Sequence, residues 1–364
     1  MSKTRFVVTL MSKNMKTLYD FGDKYIGAKN GCLFLCDQHS EKKICHLPMS
    51  RTMRFLCHFR LAERILRIFP RWAIAIDQDT LLVSFLGGIY NVQISTGNIL
   101  CEHKYTEGMN NSLYITWLES EVGCSPGFYY GEYTAKRIGS KVAIWFRTLN
   151  SDQWKCVYHF EKDAITHIHA LVPDVYRKRV LILTGDANDE VGIWATYDNF
   201  QHVKKLVWGE QRYRACVAVA IDRGIVYATD SPTEKNALYL LCNDNDLLKI
   251  ADLPGSVIYG QRYKNKLVIS TTVEPDSRVT GKEYLFTRKL GKGIEDTIVR
   301  IYACDLVTLQ LEEVWHGKKD FWPMGLCQFG TVTFANYDTG VDRILASPMA
   351  VKKSDNNVLI LQSY

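Results

Sequence analysis

The sequence predicts an all-β protein, a single β-propeller of four-stranded blades, and three observations carry that reading. Short apolar or alternating runs of five to eight residues recur along the 364-residue chain, separated by Gly, Asn, Asp and Pro clusters. These runs group in fours at a period of about 40–50 residues, the spacing of propeller blades. Aromatic residues reach 12%, with 20 Tyr and 8 Trp, a composition that suits half-buried strands.

The elements follow in order. "RFVVTL" (5–10) is a spare strand, expected to pair with the closing "VLILQ" (358–362) and fasten the ring. Blade units are expected at about 17–50, 55–105, 112–160, 167–208, 213–253, 256–315 and 322–362, seven in all, or six if the first is incomplete. "MRFLCHFRLAERILRIF" (53–69) reads equally as a helix or as strands with a turn. "LLVSFLGGIYNVQISTGNILCEH" (81–103) reads as three strands joined by a Gly-Gly and a Thr-Gly-Asn turn. The charged segment 276–298 is long for a blade turn and is expected to form a flap.

Composition excludes several classes. The net charge of +6 is spread without a Lys/Arg run, so no nucleic-acid arm is expected. No run approaches the roughly 20 apolar residues of a membrane span. The N-terminal segment lacks a secretory pattern, and the 11 cysteines form no CxxC pair. Buried free thiols in a reducing, cytoplasmic setting are expected. The sequence carries no signature of oligomeric state.

Blade topology sets the polar residues in space. The start of each innermost strand and the turn between second and third strands lie on one face of the disc. In 167–208, His167 and His169 open the innermost strand with side chains on one side, while Asp186, Asp189 and Glu190 fill the matching turn. Neighbouring units add Arg212, Tyr213, Arg214, Asp230 and Glu234; then Tyr259, Gln261, Arg262 and Glu274; and, from 112–160, Glu132, Tyr133 and Arg137. Four consecutive blades would thus direct acids, guanidinium groups, phenols and imidazoles to one basin. His167 and His169 could be hydrogen-bonded structural groups or two ligands of a divalent metal. Single turn carboxylates are commonly turn formers. "NSDQW" (150–154) and "TYDNF" (196–200) resemble degenerate Asp-box turns on the opposite face, which makes Asp152 and Asp198 structural.

Taken together, "GEY…R", "HIHALVPDVY", "TGDANDE", "GEQRYRA", "ATDSPTEKNALY" and "STTVEP" resemble the bacterial sialidase-like (BNR-repeat) propellers, glycosyl hydrolase-like proteins associated with polysaccharide-biosynthesis loci. The resemblance covers residues 110–280 and implies a propeller in a carbohydrate-related setting. A sialidase arginine triad is matched loosely: "RIFPRW" offers Arg67 or Arg71, and Arg147 and Arg214 would complete it.

The expected function is cleavage of a glycosidic bond in an acidic oligo- or polysaccharide, by hydrolysis or elimination, at the axial mouth. Glu132, His167, His169, Asp186, Glu190, Asp230 and Glu274 are the catalytic candidates. Crowded carboxylates raise one another's pKa, which supplies the protonated acid that glycosidases need. Tyr133, Arg137, Arg212, Tyr213, Arg214, Tyr259 and Arg262 are the substrate-binding candidates. The competing class is a non-catalytic glycan- or protein-binding scaffold.

Overall fold

A computed structural model describes residues 6–134, 139 and 141–363. Seven sheets, six of four strands and one of five, form a β-propeller of seven four-stranded blades. Their innermost strands are Lys16–Asp20, Trp72–Ala75, Thr116–Leu118, His167–Asp174, Ala215–Ile221, Ser256–Tyr263 and Thr331–Phe334, opening blades 1 to 7. Blade 7 takes its outermost strand from the N-terminus: Phe6–Met11 pairs antiparallel with Val358–Ser363. The pair Asn336–Tyr337 adds in parallel to Lys16–Asp20 and laces blade 7 to blade 1.

Apolar residues alternate along the strands and meet between blades rather than in one central core. Ile182 and Leu183, both fully buried, face opposite sides of blade 4 and join different apolar clusters. A β-bulge recurs near the start of four innermost strands, at Leu18, His169, Cys216 and Ile258. Such bulges twist the strand and re-aim the extra side chain.

Segment 53–69, ambiguous by sequence, is helical. Helices α1 (Arg51–Leu56) and α2 (Arg60–Leu66) lie in the connection from blade 1 to blade 2. Ser50 caps α1 by accepting from the Met53 amide. Helix α3 (Gly281–Phe286) lies in the long loop of blade 6, and α4 (Met324–Cys327) in the connection to blade 7. All four stand on the face where the innermost strands begin, hereafter the mouth face. The turns at 150–154 and 196–200 lie on the opposite face. There Trp154 and Phe200 are buried, and Asp198 accepts from the His202 amide.

Candidate functional site

The innermost strand of blade 4 brings His167 and His169 together at the mouth. Their Nε2 atoms are 2.8 Å apart, and both side chains are buried. Each ring is anchored from a different neighbouring blade. His167 Nδ1 lies 2.5 Å from the Thr134 carbonyl oxygen and His169 Nδ1 lies 2.9 Å from that of Ala215. A carbonyl only accepts, so each Nδ1 carries the hydrogen and donates. Rings held this way turn their Nε2 atoms toward each other, an arrangement that a proton or a cation between them would satisfy.

Asp186 supplies the third group. Its Oδ1 lies 3.5 Å from His167 Nε2 and 3.6 Å from His169 Nε2, and 45% of its side-chain surface is open at the mouth. A point equidistant from these three atoms lies about 1.9 Å from each, just inside the roughly 2.0–2.2 Å of zinc–nitrogen and zinc–oxygen bonds. His167, His169 and Asp186 could therefore hold a divalent ion, which would supply a Lewis acid beside the mouth. A second set, His169, Cys216 and Asp230, also converges. Burial and the Asp230 charge push the Cys216 thiol well up, so it is the poorer donor set.

Arg214 organises the carboxylates. Its guanidinium lies 2.7 Å from Asp186 Oδ1 and 3.4 Å from Asp230 Oδ2. Burial would raise the Asp186 pKa, but the opposing charge of Arg214 leads the interactions that hold the group well below the carboxylate range. Burial keeps His169 below its ordinary value despite the nearby acids, leaving it neutral as a ligand must be. Burial raises Asp230, against the opposing charge of Arg214. Burial, then the Asp230 charge, pushes Glu274 up to about 8, and the Ser256 hydroxyl donates to it. One acid in the group is ionised and another holds a proton at neutral pH.

The channel wall continues with aromatic and basic groups. The Tyr133 ring packs 4.5 Å from that of His167, and Arg71 lies 5.2 Å over Tyr133. Arg71 stands among Tyr114, Tyr133 and Tyr259, with no carboxylate in ion-pair range among the described residues. Three buried polar atoms here, Arg71 Nε, Arg214 Nε and Asp230 Oδ1, have no partner among the protein's described groups. Gln211 braces the Asp186 loop by donating to the Asp186 carbonyl and the Asn188 side chain.

Seven of the sequence candidates share this basin: His167, His169, Asp186, Arg214, Asp230, Glu274 and Tyr133, with Tyr259 deeper beside Arg71. Others are placed elsewhere. Glu132 is buried within blade 3, accepting from the Ala143 amide at 2.8 Å, Trp145 Nε1 at 3.0 Å and the Thr106 hydroxyl, so it braces that blade. Glu190 accepts from the Thr166 amide at 2.9 Å and ties down the entry of the blade 4 strand. Arg212 is exposed and pairs with Glu210, while Tyr213 joins a core cluster with Tyr227. Arg262 falls six residues along its strand from Ser256, roughly 20 Å toward the opposite face. Bulge and turn lengths, which set those positions, are invisible to a count of residues. Arg147 is held by Glu102 at the far end of its strand, away from any triad at the mouth. Arg137 lies outside the described residues.

The expected flap is a folded rim. Asn236 Nδ2 donates to the Gly293 carbonyl, and α3 packs closely on α4 at Gly325. Residues missed by sequence are Cys216, Tyr114 and Ser256. Cys216 occupies the bulge position of His169 one blade on, the one signal that aligning the blades would have yielded. A cavity of about 330 Å³ lined by Phe21, Lys24 and Ser95 lies on the opposite face and joins none of these groups.

No known protein family's sequence profile matches the chain, and no curated protein matches it in sequence. Solved structures share the fold. One is an oligogalacturonate lyase from Vibrio parahaemolyticus, with TM-score 0.55 and 9% identity over 99% of this chain and 97% of that one. Another is the WD40 β-propeller domain of Doa1, with TM-score 0.55 and 11% identity over 100% and 98%. A third belongs to the mitotic checkpoint complex, with TM-score 0.53 and 9% identity over 98% and 95%.

Proposed function

We propose that the mouth binds a divalent cation at His167, His169 and Asp186 and cleaves an acidic, uronate-containing glycan by β-elimination. The observation that carries this is the pair of backbone-anchored imidazoles whose Nε2 atoms meet at 2.8 Å beside an ionised, mouth-facing carboxylate. The cation and Arg71 would neutralise the sugar carboxylate and so acidify the hydrogen at C5. Asp230, made more basic by burial and with one oxygen unpartnered, would take that proton. The C5–H electrons form the C4–C5 double bond as the C4–O bond breaks. Glu274, protonated up to about pH 8, would hand its proton to the leaving oxygen. The proton on Asp230 then returns to Glu274. A fold neighbour that is an oligogalacturonate lyase agrees in kind with this reading.

The test is metal analysis of the purified protein alongside ultraviolet detection of unsaturated uronate ends after incubation with acidic oligosaccharides. Wild type should bind close to one equivalent of divalent metal and form unsaturated product. His169→Ala should lose both, whereas Asp230→Asn should keep the metal and lose turnover. A protein that takes up no divalent metal sinks the proposal. Fold relatives such as the WD40 domain support a second reading, a propeller that binds the saccharide without cleaving it. That reading predicts glycan binding with no product in any variant.

A further inference from the structure

The mouth face carries a surface that glycan chemistry does not use. Among the described residues, eighteen large hydrophobic side chains are exposed, and eight of them sit on the inserts of this one face. They include every exposed phenylalanine: Phe55 at 64%, Phe59 at 53%, Phe286 at 62% and Phe321 at 67%. Leu66 and Trp322 are among the others, at 44% and 37%.

These side chains stand on inserts that touch one another. Phe55 and Phe59 pack edge to face at 5.3 Å, and Phe321 and Trp322 pack at 4.6 Å. Arg64 locks α2 to α4 by donating to the Cys327 carbonyl, and Gln328 donates back to the Arg64 carbonyl at 3.0 Å. Helix α3 rests on α4, and the Tyr284 it carries lies within electrostatic reach of Glu274 and Arg67. The apolar rim therefore reaches the edge of the catalytic mouth.

Charge on the rim is mostly positive. Segments 50–69 and 281–292 together hold nine Lys and Arg against two Glu, and one of those, Glu63, is buried against Arg60. Arg51, Arg67, Lys282, Arg288, Lys289 and Lys292 are exposed. The turn bearing exposed Lys352 and Lys353 joins through the Arg60–Asp355 pair at 2.9 Å. Phenylalanine, leucine and tryptophan interspersed with exposed cations on one face is the composition that sinks into a headgroup layer and holds anionic phosphates. A protein groove would require a shaped concavity, whereas these groups project outward from four separate inserts.

We infer that the mouth face docks on an anionic lipid bilayer as a peripheral, non-spanning contact, turning the axial mouth toward the lipid headgroups. This inference stands on the rim alone and is independent of the chemistry proposed for the mouth. Its test is co-sedimentation of the full chain with vesicles of phosphatidylcholine alone and of phosphatidylcholine with about one-third phosphatidylglycerol. Wild type should sediment with the anionic vesicles, weakly with the neutral ones, and less at high salt. Phe55→Glu/Phe59→Glu and Phe286→Glu/Phe321→Glu should each weaken binding about tenfold or more, and Lys352→Glu/Lys353→Glu should lower the salt-sensitive part. Circular dichroism and light scattering report whether each variant stays folded and monomeric. These exposed sites have no core contacts to lose. Failure of wild type to sediment, or full binding by both phenylalanine variants, overturns the inference. So does a wild-type dimer that Phe55→Glu/Phe59→Glu dissociates while vesicle binding is absent, since a second copy would then be the occupant. Loss of glycan turnover leaves this result untouched, and the reverse holds.

Discussion

Replacing Arg214 with methionine tests the electrostatic frame of the mouth most directly. The guanidinium stands 2.7 Å from Asp186 and 3.4 Å from Asp230, and its removal strands Asp230, which is only 4% exposed. Asp186 is open to solvent and contributes little to the penalty. Removing one partner of a buried ion pair costs about 3–5 kcal/mol, and the low end applies because the Asp230 contact is long. With an unfolding entropy of about 2.1 cal/mol/K per residue, 364 residues give about 0.76 kcal/mol/K, so about 3 kcal/mol lowers Tm by about 4 °C. Adding Asp230→Asn removes the stranded charge, and the double variant should recover half or more of the loss. The pH dependence has a defined sign. Asp230 has a raised pKa in the folded state, so its favourable neutral form is present at low pH and lost as pH rises through the folded pKa. Without Arg214 that window extends upward, so the deficit of the single variant should grow as pH is raised from about 5.5 to about 8. Differential scanning calorimetry of the four proteins reads all of this. An Arg214→Met variant that melts within about 1 °C of wild type, or a double variant no better than the single, refutes the electrostatic account.

Three further outcomes follow from the same geometry. Glu274 has a folded pKa of about 8 against an ordinary 4.5, so the stability of its protonated form is full below about 4.5 and is lost as pH rises through about 8. Glu274→Gln should flatten that decline in a Tm-versus-pH series, and an unchanged slope would count against the shift. At Gly185 an added Cβ would lie 2.7 Å from His169 Cε1 and 3.4 Å from Arg214 Cγ. Gly185→Ala should cost about 1–3 kcal/mol by urea unfolding and displace the His169 ring, lowering metal uptake; normal uptake would show that the ring has slack. Glu132→Ala should cost about 2 kcal/mol or more by leaving the Ala143 amide and the Trp145 indole without an acceptor, while metal content stays that of wild type. A loss of metal there would place Glu132 back at the mouth.

The ring was legible because its signal is periodic. Alternation along the strands repeats in every blade, and the closing strand was marked by an apolar run with no partner in its own unit. The meeting of His167, His169, Asp186 and Arg214 was legible for the same reason, since register places equivalent positions of adjacent blades side by side. What the sequence hid depends on single-residue geometry. Arg212 and Arg214 differ by two positions, yet one points to solvent and the other into the channel, because the short 3₁₀ turn Gln211–Tyr213 ends between them. Glu132 and Tyr133 are adjacent, and alternation alone sends the acid into the blade and the phenol to the channel. Segment 53–69 was ambiguous because its apolar residues serve an exposed rim, so neither a strand nor a helix pattern is enforced by a core.

The arrangement of hydrogen bonds argues that this mouth is built for a guest rather than for rigidity. Carbonyls from blades 3 and 5 fix both imidazoles of blade 4, so the Nε2 positions are set by three blades at once. Each buried group left without a partner costs about 1–3 kcal/mol. Of the six such atoms among the described residues, Arg71 Nε, Arg214 Nε and Asp230 Oδ1 lie together in this channel. Donors beside an acceptor, next to two converging imidazole Nε2 atoms, complement a ligand that carries both negative charge and hydroxyl groups. An acidic sugar with its bound cation, the ligand proposed above, has that combination.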